Sequence, residues 1–335
     1  MKVLVTGGAG YVGSVSVERL LEAGHHVVVL DDLSTGHRAA VDATLSEGSY
    51  ADGPGTVALL DRERIDVILH CAARSLVGES IVDPAKYYRE NVAGGIALLE
   101  SARAVGVRRV VFSSTAAVYG SPETTPIAED APLAPINPYG ETKRTFEGAL
   151  RWYGAAYGLR SVALRYFNVA GATERHGERH DPETHLIPNI LAAAERRRPV
   201  TVFGTDYPTP DGTNVRDYIH VRDLADAHLA AIEATADDDR RSDDPAAPGD
   251  RRRGRALALN LGSETGFSVL EVIAAAERVI GRPIGAELGP RRAGDPPILV
   301  AANRLAREVL GWTPRLGSLD EMIGSAWAWR RSQPT

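Results

Sequence analysis

Short, nearly continuous apolar segments alternate with helix-length segments through the first half of the chain. Five of them are rich in Val, Leu or Ile: KVLVTG (2–7), HVVVLD (26–31), DVILHC (66–71), RVVFSS (109–114) and SVALRYFN (161–168). Such segments are typical of parallel strands covered on both faces, and the intervening segments are long enough for crossover helices. The pattern therefore predicts a Rossmann-like, doubly wound α/β domain over residues 1–168.

The second half has a less regular pattern, with more Pro, Gly and isolated aromatic residues. The segments TVFG (201–204), ALALNLG (256–262) and SVLEVIAAAERVIG (268–281) predict strands and a helix. We expect residues 169–335 to form mainly a smaller, mixed α/β lobe that binds the substrate. The polar, highly charged run at 234–256 predicts a solvated, flexible insertion between a helix and a strand.

Charge and composition narrow the class of partner. The formal net charge is −6, which disfavours nucleic acid or an anionic membrane surface as a partner. The single cysteine, Cys71, excludes an internal disulfide and fits a reducing compartment. No apolar run approaches the roughly 18 residues of a membrane span, and the chain opens on a strand pattern rather than a signal peptide. We therefore expect a soluble, cytoplasmic protein without a metal site.

A glycine-rich turn follows the first predicted strand. Gly7, Gly10 and Gly13 lie between this strand and an amphipathic helix, and the second strand ends in Asp31. Glycines allow a pyrophosphate to approach the backbone at a helix N-terminus, and an acidic residue about 20 positions later suits the adenosine ribose hydroxyls. Asp31 and Asp32 would repel a 2′-phosphate, so the sequence predicts NAD rather than NADP.

A tyrosine and a lysine stand four residues apart in NPYGETK (137–143). On a helix, Tyr139 and Lys143 share one face, and Asn137-Pro138 is a plausible helix start. A phenol titrates near pH 10, so a neighbouring ammonium and a cationic nicotinamide would have to lower its pKa for it to act as a base. The sequence predicts that lowered pKa for Tyr139.

Three hydroxyl residues end the strand before this helix. Ser113, Ser114 and Thr115 lie at the carboxyl end of a predicted parallel strand, where doubly wound folds bind ligands. One of the three is expected to hydrogen-bond the reacting substrate oxygen and to share a proton path with Tyr139. Strand-end capping is the alternative role.

Together these features resemble the extended short-chain dehydrogenase/reductase superfamily, and within it the UDP-glucose 4-epimerase family. The matching motifs occur in the family's order and span nearly the whole chain apart from 234–256. They are GGAGYVGS, VGES, YYRENV, FSSTAAVYG, NPYGETK, LRYFNVAGA, VFGTDYPTPDGTNVRDYIHVRDLADAH, NLGSETGFSVLEV, RRAGDPP and LGW.

The resemblance implies three sets of site residues. The catalytic set is Thr115, Tyr139 and Lys143. The cofactor-binding set is Gly7, Gly10, Tyr11, Val12, Gly13, Asp31, Asp32, Leu33, Ser34, Thr35, Gly36, Tyr50, Cys71, Ala72, Ala73, Ser75, Asn91, Ser113, Tyr139, Lys143 and Phe167. The set that binds the UDP-sugar is Thr115, Tyr139, Asn168, His185, Leu186, Thr201, Val202, Phe203, Arg216, Arg292, Asp295 and Leu299.

The resemblance also implies a reaction and an assembly. Tyr139 would take the proton of the sugar 4-hydroxyl while NAD accepts hydride from C4, and the rotated 4-keto sugar would receive the hydride on its other face. Arginines would bind the diphosphate as forked donors, and Asp295 would accept from ribose hydroxyls. Family members are commonly homodimers through helices that correspond here to YYRENVAGGIALLESARAVG and the Tyr139 helix.

The chain departs from the family pattern at several site positions. Thr115 stands where serine is usual, and Ala117 replaces a threonine near the sugar. His185 replaces an asparagine of the diphosphate loop, and Ser49 and Ser75 replace an aspartate and a lysine that contact the cofactor. Leu299, where some members have tyrosine, leaves more room, which predicts some turnover of UDP-N-acetylhexosamines.

Three alternatives remain at the level of sequence. A nucleotide-sugar 4,6-dehydratase needs an Asp-Glu pair after the strand-end threonine, but Ala116 and Ala117 occupy those positions. Epimerases of UDP-glucuronate or of UDP-pentoses differ only in contacts at C6. A non-catalytic NAD sensor should lack Tyr139 or Lys143, and both are present.

Overall fold

The computed structural model describes residues 1–236, 255–291 and 295–333. Its strands are β1 (Lys2–Thr6), β2 (His26–Asp31), β3 (Thr44–Glu47), β4 (Val67–His70), β5 (Arg109–Thr115), β6 (Arg160–Tyr166), β7 (Asn168–Ala170), β8 (Val200–Phe203), β9 (Val215–His220), β10 (Ala256–Leu261), β11 (Gly266–Ser268), β12 (Ala286–Gly289) and β13 (Ile298–Leu299).

The α-helices run between and after these strands. They are α1 (Tyr11–Glu22), α2 (Gly53–Glu63), α3 (Val77–Val82), α4 (Pro84–Tyr87), α5 (Gly95–Ala104), α6 (Pro138–Tyr157), α7 (Leu186–Arg196), α8 (Val221–Ala234), α9 (Val269–Ile280), α10 (Arg304–Leu310) and α11 (Leu319–Ser332). Short 3₁₀ turns cover Arg38–Ala40 and Ala116–Tyr119, and a π-helical segment, Tyr88–Gly94, joins α4 to α5.

A parallel sheet forms the centre of the larger domain. In the described part of the chain it has seven strands in the order β10-β6-β5-β4-β1-β2-β3. Apolar residues fill both of its faces: Val5 and Leu69 lie in one buried cluster, and Leu4 and Ile68 in another. This arrangement confirms the doubly wound α/β fold. Because the strands are parallel, the carboxyl ends of β1, β4, β5 and β6 lie at the same end of the sheet.

Two strands of this sheet differ from the sequence prediction. The hydrophobic pattern missed β3, because TLSE is polar and its side chains remain partly or fully exposed at the edge of the sheet. ALALNLG was assigned to the second lobe, yet β10 pairs with β6 at the opposite edge. The chain thus re-enters the large sheet after residue 168, so its strands do not divide at one point of the sequence.

The smaller lobe packs three helices against short strands. β9 pairs with β7, β11 and β13, while β8 pairs with β12. Ile190, Val202, Val272 and Met322 are fully buried in a core shared by α7, α9 and α11. The predicted strand at 201–204 and helix at 268–281 are present as β8 and α9.

α6 has strong local start and stop signals. The Asn137 side chain accepts a hydrogen bond from the Gly140 N–H (2.8 Å), Pro138 occupies the first turn, and Gly158 ends the helix in the left-handed region. The predicted helix is therefore present, with Tyr139 in its first turn. The neighbouring predicted helix YYRENVAGGIALLESARAVG is interrupted by the π-helical segment.

Two further sequence predictions concern the insertion at 234–256 and the lack of a membrane-spanning segment. The predicted insertion at 234–256 follows α8 and precedes β10, but its residues 237–254 lie outside the described residues. Among the helices that the structure describes, none combines the length and apolar character needed to cross a membrane.

Candidate active site

Lys143 is buried beneath the carboxyl edge of the large sheet. Its side chain is 3 % exposed, and Nζ donates a hydrogen bond to the Ser113 carbonyl on β5 (2.8 Å). Nζ also lies 5.8 Å from the centre of the Tyr139 ring, so the helical spacing does place both on one face. Burial lowers the pKa of Lys143 to about 8, although Cys71 and Glu147 act in the opposite direction.

The protein groups around Tyr139 do not lower its pKa. Burial raises the pKa of Tyr139 to about 12, and a hydrogen bond with Thr115 only partly offsets this. The predicted lowering of this pKa includes the effect of a bound, cationic nicotinamide, so it stays a prediction for the protein with cofactor. Among the protein groups alone, desolvation has the largest effect on the phenol.

The three hydroxyl side chains at the end of β5 face different sides of the sheet, because successive side chains of a strand point in opposite directions. Ser114 points to the opposite face from its neighbours and donates to Glu147 (2.5 Å). Ser113 donates to Cys71 Sγ (3.2 Å), where burial raises the thiol pKa to about 11. Thr115 is the one of the three whose side chain hydrogen-bonds Tyr139, as the predicted shared proton path requires.

The glycine turn leaves no room for side chains. Gly7 has a φ of +72°, and a Cβ on it would lie 2.6 Å from the Ala72 nitrogen. A Cβ on Gly13 would lie 2.0 Å from the Gly7 oxygen. α1 starts at Tyr11 and Val12, and the preceding Gly10 provides no side-chain cap, so the N-terminus has the form expected of a pyrophosphate site.

Two backbone hydrogen bonds fix the Asp31 carboxylate at the end of β2. Its carboxylate accepts from the N–H groups of Ala9 and Leu33, both at 2.9 Å. Burial raises the pKa of Asp31 despite these two bonds. Asp32 in turn accepts from the backbone and hydroxyl of Ser34, which orders the loop of Leu33, Ser34, Thr35 and Gly36 next to the glycine turn.

The remaining cofactor candidates surround the end of β4. Asn91 is buried and bonds the Arg74 backbone through Oδ1 (2.8 Å) and Nδ2 (3.0 Å), which braces the loop that holds Ala72, Ala73 and Ser75. The Tyr50 hydroxyl donates to the Glu90 carbonyl (2.9 Å). Phe167, directly after β6, is buried with Ala116. Asn91 and Tyr50 therefore use polar atoms to fix the loop around the site.

A second group of candidates lies on the strands that adjoin the large sheet. Asn168 pairs with Tyr218 between β7 and β9, and Leu299 pairs with Arg216 between β13 and β9. The Arg216 guanidinium forms an ion pair with Asp295. The fold therefore brings four predicted substrate residues together at one small sheet: Asn168, Arg216, Asp295 and Leu299.

His185 stands at the start of α7 within a network of ion pairs. Its Nδ1 lies 2.8 Å from carboxylate oxygens of both Glu178 and Glu183, and His180 bonds the same oxygen of Glu178 (2.7 Å). Burial alone would lower the pKa of His185, but these two carboxylates raise it to about 10. The raised pKa favours the charged form of His185, which stands directly before Leu186 at the start of α7.

These two histidines and two glutamates could together ligate a cation, since their ligand atoms lie within 4.8 Å of one another. The hydrogen-bonded ion pairs account for that proximity. Bonds from His180 and His185 also overcome the effect of burial and lower the pKa of Glu178 to about 2. The network therefore satisfies its own charges.

Two substrate candidates stand apart. The Val202 side chain is fully buried in the core of the smaller lobe, because alternate residues of a strand face opposite sides; Thr201 faces solvent, and Phe203 is partly buried. The burial of this side chain leaves the Val202 backbone as the part that could contact a ligand, and the prediction of Val202 as a substrate-binding residue stays a prediction. Arg292 lies outside the described residues.

Sequence reasoning missed several residues that organise the site. Asn214 donates to Asp295 (2.7 Å). Tyr11 was predicted as a cofactor contact, but not its hydrogen bond to the Gly171 carbonyl (2.6 Å) across the two lobes. Glu178 had no distinguishing signal beyond its closeness to His180. Glu147 did have one, because it continues the four-residue spacing of Tyr139 and Lys143.

Known proteins resemble this chain along its whole length. The model of the NAD dependent epimerase/dehydratase family matches residues 3–243. A UDP-glucose 4-epimerase of Lacticaseibacillus casei is 48% identical over 339 residues, covering 100% of this chain and 98% of that protein.

Solved structures agree with this relationship. UDP-glucose 4-epimerase from Brucella ovis in complex with NAD is 44% identical, covers 97% of both chains and has a TM-score of 0.89. The enzyme from Bifidobacterium longum in complex with NAD+ and UDP is 34% identical, covers 100% of this chain and 99% of that one, and has a TM-score of 0.90. The chain therefore belongs to the NAD dependent epimerase/dehydratase family.

Proposed function

We propose that this protein interconverts UDP-galactose and UDP-glucose by NAD-dependent epimerisation at C4. The observation that carries the proposal is the arrangement of Thr115, Tyr139 and Lys143 at the edge of a parallel sheet whose glycine turn fits a dinucleotide. The relatives that match over their full length are UDP-glucose 4-epimerases, and one of them was solved with NAD.

The cofactor site is assigned to the turn after β1 and the loop after β2. The first turn of α1 would bind the pyrophosphate, and Asp31 would accept from the adenosine ribose, with Asp32 disfavouring a 2′-phosphate. Ser75, in place of a lysine, leaves Lys143 as the ammonium next to the nicotinamide. NAD, when bound, supplies a reversible hydride acceptor and a positive charge near the phenol.

Tyr139 acts as the base and then as the acid. Its phenolate removes the proton of the sugar 4-hydroxyl as hydride leaves C4, and the phenol returns the proton when hydride is added to the other face of the 4-keto sugar. Thr115 hydrogen-bonds the reacting oxygen. Lys143, held against the Ser113 carbonyl, stabilises the phenolate as a compact charge.

The smaller lobe holds the UDP group. Arg216 and Arg292 would bind the diphosphate, and the raised pKa of His185 favours a further positive charge for this role. Asp295 would accept from the uridine ribose, with Phe203 and Leu186 against the base and diphosphate. We assign this role to the lobe formed by β7–β9, β11–β13, α7, α9 and α11, and cofactor binding to the large sheet.

The assembly is proposed to be a homodimer through the π-helical segment, α5 and α6. Tyr88 on the π-helical segment and Trp152 and Tyr157 on α6 are large apolar side chains that are exposed, as is Ile81 on the neighbouring α3. Burial of such side chains against a second copy of the chain supports the proposal.

The test is conversion of UDP-galactose by the purified protein, followed by separation of the two UDP-hexoses. UDP-glucose should form without added reductant, and deuterium at C4 should be retained in the product because hydride returns to the same sugar. UDP-glucuronate and UDP-pentoses serve as rival substrates. A higher kcat/KM with either would replace the hexose assignment, while no turnover of any UDP-sugar would remove the epimerase proposal.

A further inference from the structure

A buried ion pair lies directly below the catalytic residues. Arg165 on β6 binds Glu147 on α6 in a forked arrangement, with Nη2–Oε2 at 2.6 Å and Nε–Oε1 at 3.0 Å. The two side chains are only 5% and 9% exposed. Removing two charges from water is costly unless their hydrogen bonds are complete, so such a pair requires a physical explanation.

Neighbouring residues supply further hydrogen bonds to both members of the ion pair. Ser114 on β5 donates to Glu147 Oε1 (2.5 Å), and Arg165 Nη1 donates to the Tyr119 hydroxyl (2.8 Å) and to the Glu129 carbonyl (3.2 Å). The Tyr119 hydroxyl donates onward to Asn260 on β10 (2.7 Å). The pair is therefore the centre of a network that joins α6 to three adjacent strands.

The ion pair continues the row of side chains on α6 that begins with Tyr139 and Lys143. Glu147 follows Lys143 by one helical turn and Tyr139 by two, so the three share one face of α6. On the sheet side, Arg165 pairs with Ser114, next to the Thr115–Tyr166 pair. The network thus fixes the position of the helix that carries Tyr139 and Lys143 relative to the strand that carries Thr115.

The pair also places a negative charge near the lysine. His70 at the end of β4, Cys71 directly after it, the Ser113 carbonyl on β5, and Tyr139 and Glu147 on α6 surround Lys143. Burial keeps His70 and Cys71 neutral, as it lowers the pKa of His70 to about 3 and raises that of Cys71 to about 11. Glu147 is then the carboxylate that favours the charged lysine.

We propose that Glu147, held by Arg165, is a positioning residue for the epimerase reaction: it sets the place of Tyr139 and Lys143 and supports the charge of the lysine. The inference rests on the proposed function. It requires no contact of Glu147 with substrate or cofactor, so its loss should affect the chemical step rather than the binding of UDP-sugar.

The test replaces both partners at once, Glu147→Met with Arg165→Met, which leaves no unpaired buried charge. We expect kcat to fall about 100-fold, as for a misplaced catalytic group, with KM little changed. The alkaline limb of the kcat profile should move to lower pH, because Lys143 then loses its proton more readily. Single-turnover formation of reduced nicotinamide should slow by the same factor.

The matched control is the exposed Arg304–Glu308 pair, replaced by the same two methionines. Wild type and this control must epimerise UDP-galactose; if wild type does not, the proposed function fails rather than the positioning role. If the buried double variant is unfolded, Ser114→Ala removes one bond to Glu147 and should give a smaller loss of kcat without the pH shift, because Glu147 keeps its charge. Wild-type kcat and pH profile in a folded variant overturn the proposal.

Discussion

At the scale of single residues, the proposed chemistry depends on a lysine that is buried. Lys143 is one of only three lysines in the chain, and it is buried against the Ser113 carbonyl. A guanidinium is broader and carries fixed forked donors, so it cannot replace a point charge in that space. The pKa of about 8 means that the ammonium is retained near neutral pH and lost as the pH rises above that value.

Lys143→Arg should therefore keep the fold and reduce kcat by about 100-fold, because the charge is displaced from the phenol. Steady-state kinetics with UDP-galactose and thermal unfolding measure the two effects. Lys86→Arg is the matched control, since Lys86 forms a partly exposed ion pair with Glu79. Equal activity in the two variants would show that the site needs only a positive charge.

The second prediction at this scale concerns substrate size. Leu299 packs beside the buried cluster of Ala116 and Phe167, next to Arg216 on β9. We expect wild type to turn over UDP-N-acetylglucosamine, and Leu299→Tyr to lower that turnover about tenfold or more while UDP-galactose is affected much less. Ratios of kcat/KM for the two substrates measure this; no turnover of the acetylated sugar by wild type contradicts it.

At the scale of elements, α6 shows which local signals were readable. Asn137, Pro138 and Gly158 mark its ends, and the spacing of Tyr139 and Lys143 correctly predicted a shared face. β3 was not readable because its polar residues at a sheet edge lack the apolar pattern of a buried strand. β10 was readable as a strand but not as part of the large sheet, since pairing between distant segments leaves no local signal.

The pKa shifts and ion pairs of the site also could not be predicted from local sequence. The type and spacing of Tyr139 and Lys143 indicated a proton-transfer pair, but the direction of the Tyr139 pKa shift depends on burial, which the sequence does not reveal. The ion pairs of His185 and Glu147 likewise depend on residues brought together by the fold.

Asn137→Ala tests whether the start of α6 matters for catalysis. Loss of the cap should cost about 1 kcal/mol of stability and should also lower kcat, because Tyr139 lies in the first turn. Ser318→Ala removes the cap of α11, far from Tyr139, and should cost a similar amount without affecting kcat. Urea unfolding and kinetics compare them; a normal kcat in a destabilised Asn137 variant would contradict the argument.

At the scale of the whole molecule, catalysis requires two lobes to meet. β7 follows directly on β6 and pairs with β9, and Tyr11 on α1 bonds the Gly171 carbonyl beyond β7. The cofactor turn and the substrate strands are therefore parts of one continuous structure. The exposed Trp152 and Tyr157 lie on α6, the helix that also carries Tyr139 and Lys143, so the proposed dimer contact and the proposed catalytic residues share one element.

Trp152→Glu should convert the dimer to a monomer, because Trp152 is 67% exposed on α6 and a charge there would be buried at the interface. Analytical ultracentrifugation over a range of protein concentrations measures this. Leu288→Glu is the control, since Leu288 is 70% exposed on β12 in the other lobe. A wild-type protein that sediments as a monomer would refute the dimer.

The central claim is that Tyr139 transfers the proton in C4 epimerisation of a UDP-hexose. The most direct test is the rate of UDP-galactose conversion by wild type and Tyr139→Phe, with NAD and UDP binding measured for both. We predict that the variant binds both ligands and loses about 1,000-fold in kcat, since general acid–base catalysis is removed while the fold remains. A kcat equal to that of wild type would contradict it.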